Sequence, residues 1–245
     1  MSAAWQGYAS ARVQARFSRR PAAHDFRQLD SSRSVAHLRE ALRQGPLAAF
    51  VVGLGPAPSS DDFEARLRAA WRDSCAEVAR WHGPGWARAF RLFDYQADLP
   101  ALELLRAGGP VPAWLQADRR LDVIARAPAA GRPAVVQATY GPELSAGFDT
   151  HAPLARLWLE AWRASLPVVT RPVATLLVEV ARLFVEPRGV DERRLEARTE
   201  RLERLLRRGR GTPAAAFAHL VLVGSALERI RGSHAALLAS GTAPS

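Results

Sequence analysis

The stretch Trp86-Ala-Arg-Ala-Phe-Arg-Leu-Phe-Asp-Tyr-Gln-Ala-Asp-Leu-Pro-Ala-Leu-Glu-Leu-Leu-Arg106 decides the fold of this chain, because it predicts two helices that meet at a corner. The apolar residues of its first half recur at helical spacing, which predicts one buried stripe formed by Trp86, Phe90, Phe93 and Ala97. The opposite face of the same helix carries the polar residues Arg88, Arg91 and Asp94.

The corner itself is predicted at Pro100. Proline cannot donate the amide bond that a continuing helix needs, but it fits the first turn of a new helix. Asp98 precedes that turn, so we expect its side chain to cap the free amides there. The second helix should end at Gly108-Gly109-Pro110.

Parts of this stretch and of the segment before it recur later in the chain. A shift of 91 positions lays Ala70, Trp71, Arg72 and Ser74 on Ala161, Trp162, Arg163 and Ser165, and lays Arg91-Leu92-Phe93 on Arg182-Leu183-Phe184. A shift of 101 lays Leu104-Leu105-Arg106 on Leu205-Leu206-Arg207. The match of Trp71 with Trp162 is the strongest of these, because tryptophan is rare. Together the matches predict a divergent internal repeat. We interpret the matched tryptophans as core anchors.

Composition predicts an all-α protein. A chain of 245 residues can remove roughly 70–75% of its unfolded surface from water. Hydrophobic residues make up 48% of it, most at spacings of three or four. The most strand-like run is Leu47 to Leu54.

Proline and glycine clusters suggest how the chain is divided. We predict a first helical repeat unit at 1–110, a connector at 111–133 with a short helix near Ala113 to Ala125, a second unit at 134–210, and a C-terminal helix of a reduced third unit at 211–245. The second unit should contain a loop from Gly147 to Pro153 and a helix from Pro172 to Val185.

Further helix boundaries follow from caps and stops. Residues 5–20 should form the first helix, with an apolar stripe of Trp5, Ala9, Val13 and Phe17. Asp30-Ser31-Ser32 offers caps for a helix from Ser34 to Gln44, and the cluster Pro58 to Asp62 should open a long helix. Thr212-Pro213 should open the last helix, with fraying after Leu238.

The charge balance indicates acidic partners. The net charge is +10, and all 34 basic residues are arginine, which excludes a P-loop lysine or a Schiff-base lysine. A basic chain is attracted to nucleic acid, to an anionic membrane surface or to an acidic protein. The single cysteine, Cys75, excludes a disulfide within the chain and is expected to be a small buried residue.

The sequence offers no membrane span and no secretory signal. The two most apolar runs, Pro167 to Val185 and Pro213 to Leu227, are interrupted or short of the roughly 20 residues that a span needs. We expect both to be buried core helices. Met1 to Arg20 lacks the apolar core of a signal peptide.

We find no catalytic constellation. The six histidines have no metal-ligand spacing, and Gly53-Leu54-Gly55 lacks the third glycine of a dinucleotide motif. Ser225 and His219 lie inside an apolar helix, where a packed serine and a satisfied or partly exposed histidine are expected. We therefore predict no catalytic, cofactor-binding or metal-binding residue, no cofactor, no small-molecule substrate, no direct nucleotide binding and no enzymatic activity.

The segment Asp191 to Arg208 is highly charged and carries a narrow apolar stripe, which is typical of a solvated arm. Glu200 with Arg204 and Glu203 with Arg207 have the favourable i, i+4 order. Positive charge gathers at its end, where Arg207, Arg208 and Arg210 are the candidate partner-facing residues. The helix dipole is negative there, so the same arginines could equally be stabilised without a partner.

Four segments resemble the central-stalk subunit of V-type and A-type rotary ATPases, called C in the archaeal type and d in the eukaryotic type. Tyr8-Ala-Ser-Ala-Arg-Val13 resembles its N-terminal Tyr-x-x-Ala-Arg-Val, and Arg91 to Arg106 resembles its helix pair around Asp-x-x-Asn-Leu-x-x-Leu-Leu-Arg, with Pro100-Ala101 near the place of the asparagine. Gln137-Ala-Thr-Tyr-Gly141 is similar to its Thr-x-Tyr turn, and Ala226 to Gly232 to its C-terminal helix.

The resemblance implies a funnel-like stack of similar all-helical subdomains, here shorter than the three full subdomains of the family. It implies a non-catalytic subunit that couples the rotor shaft to the membrane-embedded ion-translocating ring. Its partners would be ring and shaft subunits, and it would lie in the cytoplasm, peripheral at the inner face of the membrane.

Three other functions stay open from the sequence. One is a basic helical nucleic-acid-binding protein, although glutamates interleave with most arginines and argue against nucleic acid as a partner. Another is a divergent homologue that acts as an assembly protein in a different complex. The third is an enzyme of unrecognised type, which would need a polar pocket with convergent titratable groups.

Overall fold

A computed structural model describes residues 3–55, 58–184 and 192–241. These residues form helices joined by short turns and loops, and none of them lies in a β-strand. The prediction of an all-α fold is confirmed.

The α-helices follow one another in the order α1 Ala3–Ser18, α2 Ala23–Asp30, α3 Val35–Leu42, α4 Ala48–Val51, α5 Ser60–Arg80, α6 Ala87–Asp94, α7 Leu99–Arg106, α8 Ala113–Ala117, α9 Arg119–Arg126, α10 Arg132–Tyr140, α11 Pro142–Thr150, α12 Leu154–Ala164, α13 Arg171–Phe184, α14 Glu192–Arg208 and α15 Pro213–Gly241. Short 3₁₀ turns lie at Gly45–Leu47, Pro84–Trp86, Tyr95–Asp98 and Ala129–Gly131.

The last helix, α15, is the central element of the core. It packs against α1, α3, α5, α13 and α14, and its residues from Ala214 to Val223 are buried. Helix α5 approaches α15 closely at a glycine, since a Cβ on Gly224 would lie 3.2 Å from the ring of Trp71. The helix runs to Gly241, beyond the fraying that we expected after Leu238.

By length and composition the segment Pro213–Ser240 could cross a membrane, but 67% of its apolar window is buried inside the protein. Among the described residues it is the single helix that passes this test. It is packed as a core helix of this fold, as the sequence predicted.

The predicted corner is present. Helix α6 ends at Asp94, a 3₁₀ turn follows at Tyr95–Asp98, and α7 begins at Leu99 with Pro100 in its first turn. The predicted cap is wrong, because the side chain of Asp98 makes no bond to the first amides of α7. Three arginines from other helices occupy its oxygens instead.

Aromatic rings fill the centre of the core around Phe93. Its ring centroid lies 5.9 Å from Trp71, 5.9 Å from Trp158, 5.0 Å from Trp162 and 5.1 Å from Phe217. The indole of Trp71 donates to the carbonyl of Asp94 at 2.8 Å, and that of Trp158 donates to the carbonyl of Leu92 at 2.6 Å. The matched tryptophans Trp71 and Trp162 are therefore core anchors that share one phenylalanine, while the internal repeat and the funnel shape stay predictions.

Two helix starts follow from local side-chain bonds. The cluster Pro58 to Asp62 opens α5 as expected, and within it Ser59 and Asp62 form a capping box, with the hydroxyl of Ser59 accepting from the amide of Asp62 at 3.1 Å. Helix α3 is capped by Ser34, whose hydroxyl accepts from the amide of His37 at 3.1 Å, rather than by Asp30-Ser31-Ser32.

Several sequence-based boundaries are wrong. The run Leu47 to Leu54 is no strand, because Gly45 and Pro46 start a 3₁₀ turn that continues into α4 and buries Phe50 and Val51. The single helix expected near Ala113 to Ala125 breaks at Asp118, which caps α9. Helix α2 was not anticipated.

The loop expected from Gly147 to Pro153 is shorter, because α11 continues to Thr150. Gly147 lies in this helix for a packing reason: a Cβ there would lie 2.4 Å from Leu154 and 2.8 Å from Leu157. The glycine lets α11 and α12 approach closely, which a sequence pattern cannot distinguish from a loop signal.

Helix α14 is no solvated arm, because Leu202, Leu205 and Leu206 are buried against its neighbours α13 and α15. Its predicted ion pairs are present, Glu200 with Arg204 at 3.5 Å and Glu203 with Arg207 at 3.0 Å. The first helix buries Ala9, Val13 and Phe17 as expected. The side chain of Trp5, together with Val185 and Asp191, lies outside the described residues.

Replacing Gly147 by alanine should destabilise the fold by about 1–3 kcal/mol, because the new methyl group overlaps two leucines of α12. Urea unfolding monitored by circular dichroism measures the change. Gly232→Ala is the matched control, since Gly232 lies within α15 and the position that its new methyl group would take is open, so it should stabilise by up to about 1 kcal/mol. Equal stability of the two variants would contradict the close approach of α11 and α12.

A buried arginine and aspartate cluster as the candidate functional site

The most unusual feature of the interior is a group of charged side chains, which we call the ion cluster. Its members come from α5, the end of α6, the 3₁₀ turn at the corner, the start of α9 and the end of α10: Arg68, Arg72, Asp94, Asp98, Asp118, Arg120 and Tyr140. The corner stretch therefore supplies two of its three carboxylates.

Asp98 lies at the centre and is fully buried. Its Oδ1 accepts hydrogen bonds from Arg68 and, at 3.0 Å, from Arg72. Its Oδ2 accepts from Arg120 Nη1 at 3.0 Å and from the hydroxyl of Tyr140 at 3.0 Å. Four donors on three different helices thus share one carboxylate.

Asp118 has two roles. Its Oδ1 accepts from the backbone amide of Arg120 at 3.0 Å and so caps α9. Its Oδ2 accepts from Arg68 Nε at 3.1 Å and from Arg72 Nη2 at 2.7 Å. The same carboxylate therefore fixes where α9 begins and ties that beginning to α5.

Asp94 closes the cluster on the side of α6. Its Oδ2 accepts from Arg120 Nη2 at 2.7 Å, whereas its Oδ1 is buried without a hydrogen-bond partner. Aromatic rings cover the guanidinium groups, with Arg68 5.0 Å from the ring of Trp114 and Arg120 5.3 Å from that of Tyr95.

The cluster extends to the central helix through a second carboxylate and arginine pair. Glu64 of α5 accepts from Arg231 of α15 at 2.6 Å and 3.1 Å, and it lies 3.8 Å from Arg68. Partly buried charges thus connect the corner to the core helix.

The three arginines and three aspartates balance in charge. Burial alone would lower the pKa of Arg72 and Arg120, but the facing aspartates raise both. Burial would raise the pKa of Asp118, yet bonds and charges from Arg72 and Arg68 lower it. Burial raises the pKa of Asp94 against the opposing charge of Arg120, and burial together with the charge of Asp98 raises the pKa of Tyr140.

The charges and hydrogen bonds of the ion cluster are suited to a structural role, in which they hold the helices around the corner together. The arginines stay charged, and the donors that face Asp98 are already engaged. A general acid or base would instead need a pKa near neutrality and access to a substrate.

Other places where chemistry could occur are poorly suited to it. A cavity between α1 and the start of α15 holds about 10 Å³, room for about one water molecule. Among the described residues no three His, Cys, Asp or Glu side chains are placed to hold a metal ion. Cys75 is buried, as expected, and burial raises the pKa of its thiol.

His219 departs from its expected state. It is 7% exposed, and its Nδ1 is buried without a hydrogen-bond partner, so it is neither satisfied nor partly exposed. Burial, assisted by the charge of Arg16, lowers its pKa from the ordinary 6.5 to about 4.

The candidate partner-facing arginines lie on the surface where α14 turns into α15. Arg207, Arg208 and Arg210 are exposed, and Arg207 is bonded to Glu203 at 3.0 Å. The turn lies against α1, since the amide of Gly211 donates to the hydroxyl of Ser10 at 3.1 Å. They lie at a different part of the fold from the ion cluster, so no single site unites them.

Comparison with protein-family models, with curated proteins and with solved structures finds no match to this chain.

Sequence reasoning missed the ion cluster. It placed Asp94 on a polar face, Asp98 at a cap and Tyr140 in a family-like turn, and it gave Arg68, Asp118 and Arg120 no role. One signal was available: Arg68 and Arg72 lie one helical turn apart and directly beside the apolar positions Leu67 and Trp71. Arginines at the edge of a buried stripe need carboxylate partners inside the fold.

Asp98→Asn should destabilise the fold by about 3–5 kcal/mol, because it leaves an uncompensated positive charge among the buried arginines. Thermal and urea unfolding measure this loss. Asp73→Asn makes the same chemical change at a side chain that is 73% exposed and 3.5 Å from Arg66, and it should cost less than about 0.5 kcal/mol. Similar losses in both variants would show that the cluster is not a special constraint.

His219 should make stability depend on pH. A histidine whose folded pKa is depressed contributes stability that is complete above 6.5 and is lost as the pH falls towards about 4. The difference between the two values corresponds to roughly 3 kcal/mol. Burial also lowers the pKa values of His82 and His234, so the contribution of His219 is obtained by difference.

Unfolding free energies of the wild type and of His219→Gln, measured between pH 7 and pH 4, give that difference. The wild type should lose roughly 3 kcal/mol more than the variant over this interval. His24→Gln is the control for the chemical change itself, because the side chain of His24 is 72% exposed and its replacement should cost less than about 0.5 kcal/mol at pH 7. Parallel curves for wild type and His219→Gln would contradict the buried neutral histidine.

Proposed function

We propose that this chain is a non-catalytic central-stalk subunit of a V-type or A-type rotary ATPase. In this role it forms a socket that couples the rotor shaft to the membrane-embedded ion-translocating ring. It acts in the cytoplasm, peripheral at the inner face of the membrane, and its partners are ring and shaft subunits.

The observation that carries the proposal is a contact in the fold between segments that resemble the family. Two of the four segments that resemble the family are separated in sequence but meet in the fold. The hydroxyl of Tyr140, from the Thr-x-Tyr-like turn, donates to Asp98 of the corner at 3.0 Å, and the hydroxyl of Tyr95 donates to the carbonyl of Thr139 at 3.2 Å. Helix α1, which holds the N-terminal segment, packs against the start of α15, whereas the C-terminal segment lies further along α15, where Arg229 pairs with Asp30 of α2.

The internal construction supports a mechanical role. A subunit that transmits torque must resist deformation, and a close-packed core is stiff. The ion cluster joins α5, α9 and α10 at the corner, and the ring of Phe93 joins α6, α12 and α15. These connections link both halves of the chain in one core.

The surface supports docking to acidic partners. The ion cluster is neutral, so the net charge of +10 comes from the rest of the chain. Arg208 and Arg210 are exposed on the turn before α15 and can contact a negatively charged subunit. Such rim charges act mainly on association rate and on its salt dependence.

Affinity purification of the tagged chain from gently solubilised membranes of its native cell tests the proposal. We expect ring, shaft and catalytic ATPase subunits to co-purify in stoichiometric amounts. A chain recovered alone, or with nucleic acid bound at physiological salt, would contradict the proposal and favour the alternative functions.

A triple alanine variant at Arg207, Arg208 and Arg210 tests the docking role of this turn. Three lost rim charges should lower recovery of ATPase subunits about tenfold at low salt and less at high salt. The matched control replaces three exposed arginines elsewhere, Arg27, Arg33 and Arg119, and should retain wild-type recovery. Equal losses in both triple variants would indicate a general charge effect rather than docking through this turn.

A further inference from the structure

Helix α1 is held to the rest of the fold by one broad contact. In the described part of the chain, α15 is the single helix against which α1 packs extensively. Its other connections include three polar bonds near the surface: Arg16 with Glu77 of α5, Arg20 with Glu203 of α14, and Ser10 with Gly211. Ion pairs near the surface contribute little to stability. A helix with one packed neighbour and weak polar bonds is the kind of element that opens locally.

His219 lies in the contact between α1 and α15. Ala215 of α15 lines a cavity of about 10 Å³ together with Ala9 and Val13 of α1. His219 follows Ala215 by one helical turn on the same face of α15, and Arg16 follows Val13 by about one turn of α1. The charge of Arg16 acts on the imidazole, which is buried and whose Nδ1 has no hydrogen-bond partner.

A proton on His219 would place a positive charge under a helix that cannot neutralise it. From Ala3 to Ser18, α1 carries Arg12 and Arg16 and no carboxylate. Carboxylates of the elements that pack against α15 are paired with arginines: Asp30 with Arg229, Glu40 with Arg43, Glu64 with Arg231, Glu77 with Arg16, Glu179 with Arg201, and Glu203 with Arg20. A buried imidazolium without a partner is strongly unfavourable, so it requires water, which reaches it when α1 moves away.

A second buried histidine lies beside the same contact. His82, just after the end of α5, lines the cavity together with residues of α1. Its Nδ1 lies 2.9 Å from the carbonyl oxygen of Val78, and its ring centroid lies 4.8 Å from that of Phe90. Burial lowers the pKa of His82 as well. Both histidines therefore favour the neutral form while α1 is in place.

We propose that α1 is an acid-released cover, which detaches from α15 as a unit when His219 takes up a proton, while the core around Phe93 stays folded. Opening exposes the apolar stripe of α1 and the surface of α15 at Ala215 beneath it. Residues 19–22, which include Pro21, belong to no helix, so α1 can move without unwinding α2. The inference goes beyond the proposed ATPase role and does not depend on it.

The direction of the pH effect follows from the state of His219. Burial, assisted by the charge of Arg16, lowers its pKa from 6.5 to about 4 in the closed form, whereas the open form has the ordinary value. The open form therefore binds the proton at a higher pH, and opening increases as the pH falls below 6.5. Between pH 7 and pH 5 the opening constant of α1 should rise about twentyfold.

Native-state hydrogen exchange of the full chain, followed by mass spectrometry, tests the inference. Protection factors, which correct for the intrinsic pH dependence of exchange, are compared between amides of α1 and amides of α6 at pH 7 and pH 5. We expect protection in α1 to be about a hundredfold lower than in α6 at both pH values, because α1 opens without the core. Protection in α1 should fall about twentyfold from pH 7 to pH 5.

A histidine variant then tests the trigger. In His219→Gln the protection of α1 should change less than about threefold between pH 7 and pH 5. His234→Gln is the matched control, because His234 lies on the same helix, is buried and has an unpartnered Nε2. Its ring stacks on Phe63 of α5 at 4.2 Å, so this variant should keep the twentyfold change in α1.

A variant on α1 provides a second test if His219→Gln does not fold. Arg16→Gln removes the pair with Glu77 and the charge that acts on His219. Protection in α1 at pH 7 should fall about threefold, and its pH dependence should become weaker. Arg12→Gln, at an exposed arginine of the same helix, should leave both unchanged.

Two results would overturn the inference. Equal protection of α1 and α6 would show that α1 opens only together with the whole fold. The same pH dependence of α1 in His219→Gln, or in Arg16→Gln, as in the wild type would show that this histidine does not control the opening. Neither result bears on co-purification with ATPase subunits, so the two proposals fail separately.

Discussion

The hydrogen bonds that Asp98 accepts are the constraint on which the rest of the structure depends. A carboxylate without solvent exposure is strongly unfavourable unless donors surround it, so Arg68, Arg72, Arg120 and Tyr140 must converge at one point. Their convergence fixes α5, α9 and α10 around the corner between α6 and α7. Apolar packing could hold these helices together in several registers, whereas the geometry of four donors around two oxygens is satisfied in one.

The core and the corner differ in what stabilises them. Around Phe93, aromatic rings and aliphatic side chains supply burial that tolerates small changes of shape. Around Asp98, stability requires that every partner be present, because a single missing partner leaves a buried charge uncompensated. The first kind of contact makes the fold compact, and the second makes it specific. Both meet at α5, which supplies Trp71 to one and Arg72 to the other.

Much of the fold could be predicted from the sequence because it follows from local rules. Helical spacing, the proline at position 100, the capping box at Ser59 and the apolar run of α15 each act within a few residues. The ion cluster could not be predicted, because the four partners of Asp98 lie 22, 26, 30 and 42 residues away and no local pattern connects them. The helical position of Gly147 could not be predicted for the same reason, since the leucines that it contacts belong to the next helix. The exposed position of Arg207, Arg208 and Arg210 was predicted from the sequence. Their contact with a partner depends on the surface of that partner as well.

The position of α15 has a consequence for synthesis. This helix follows all the other described helices in sequence, yet it covers α1, α3 and α5, and Arg231 and Glu64 pair across 167 residues of chain. While the chain is being made, the apolar face of α5 with Phe63, Leu67 and Trp71 has no final cover until residues 213–241 have left the ribosome. The core is therefore completed in one late step. Before that step the nascent chain exposes hydrophobic surface that chaperones can bind.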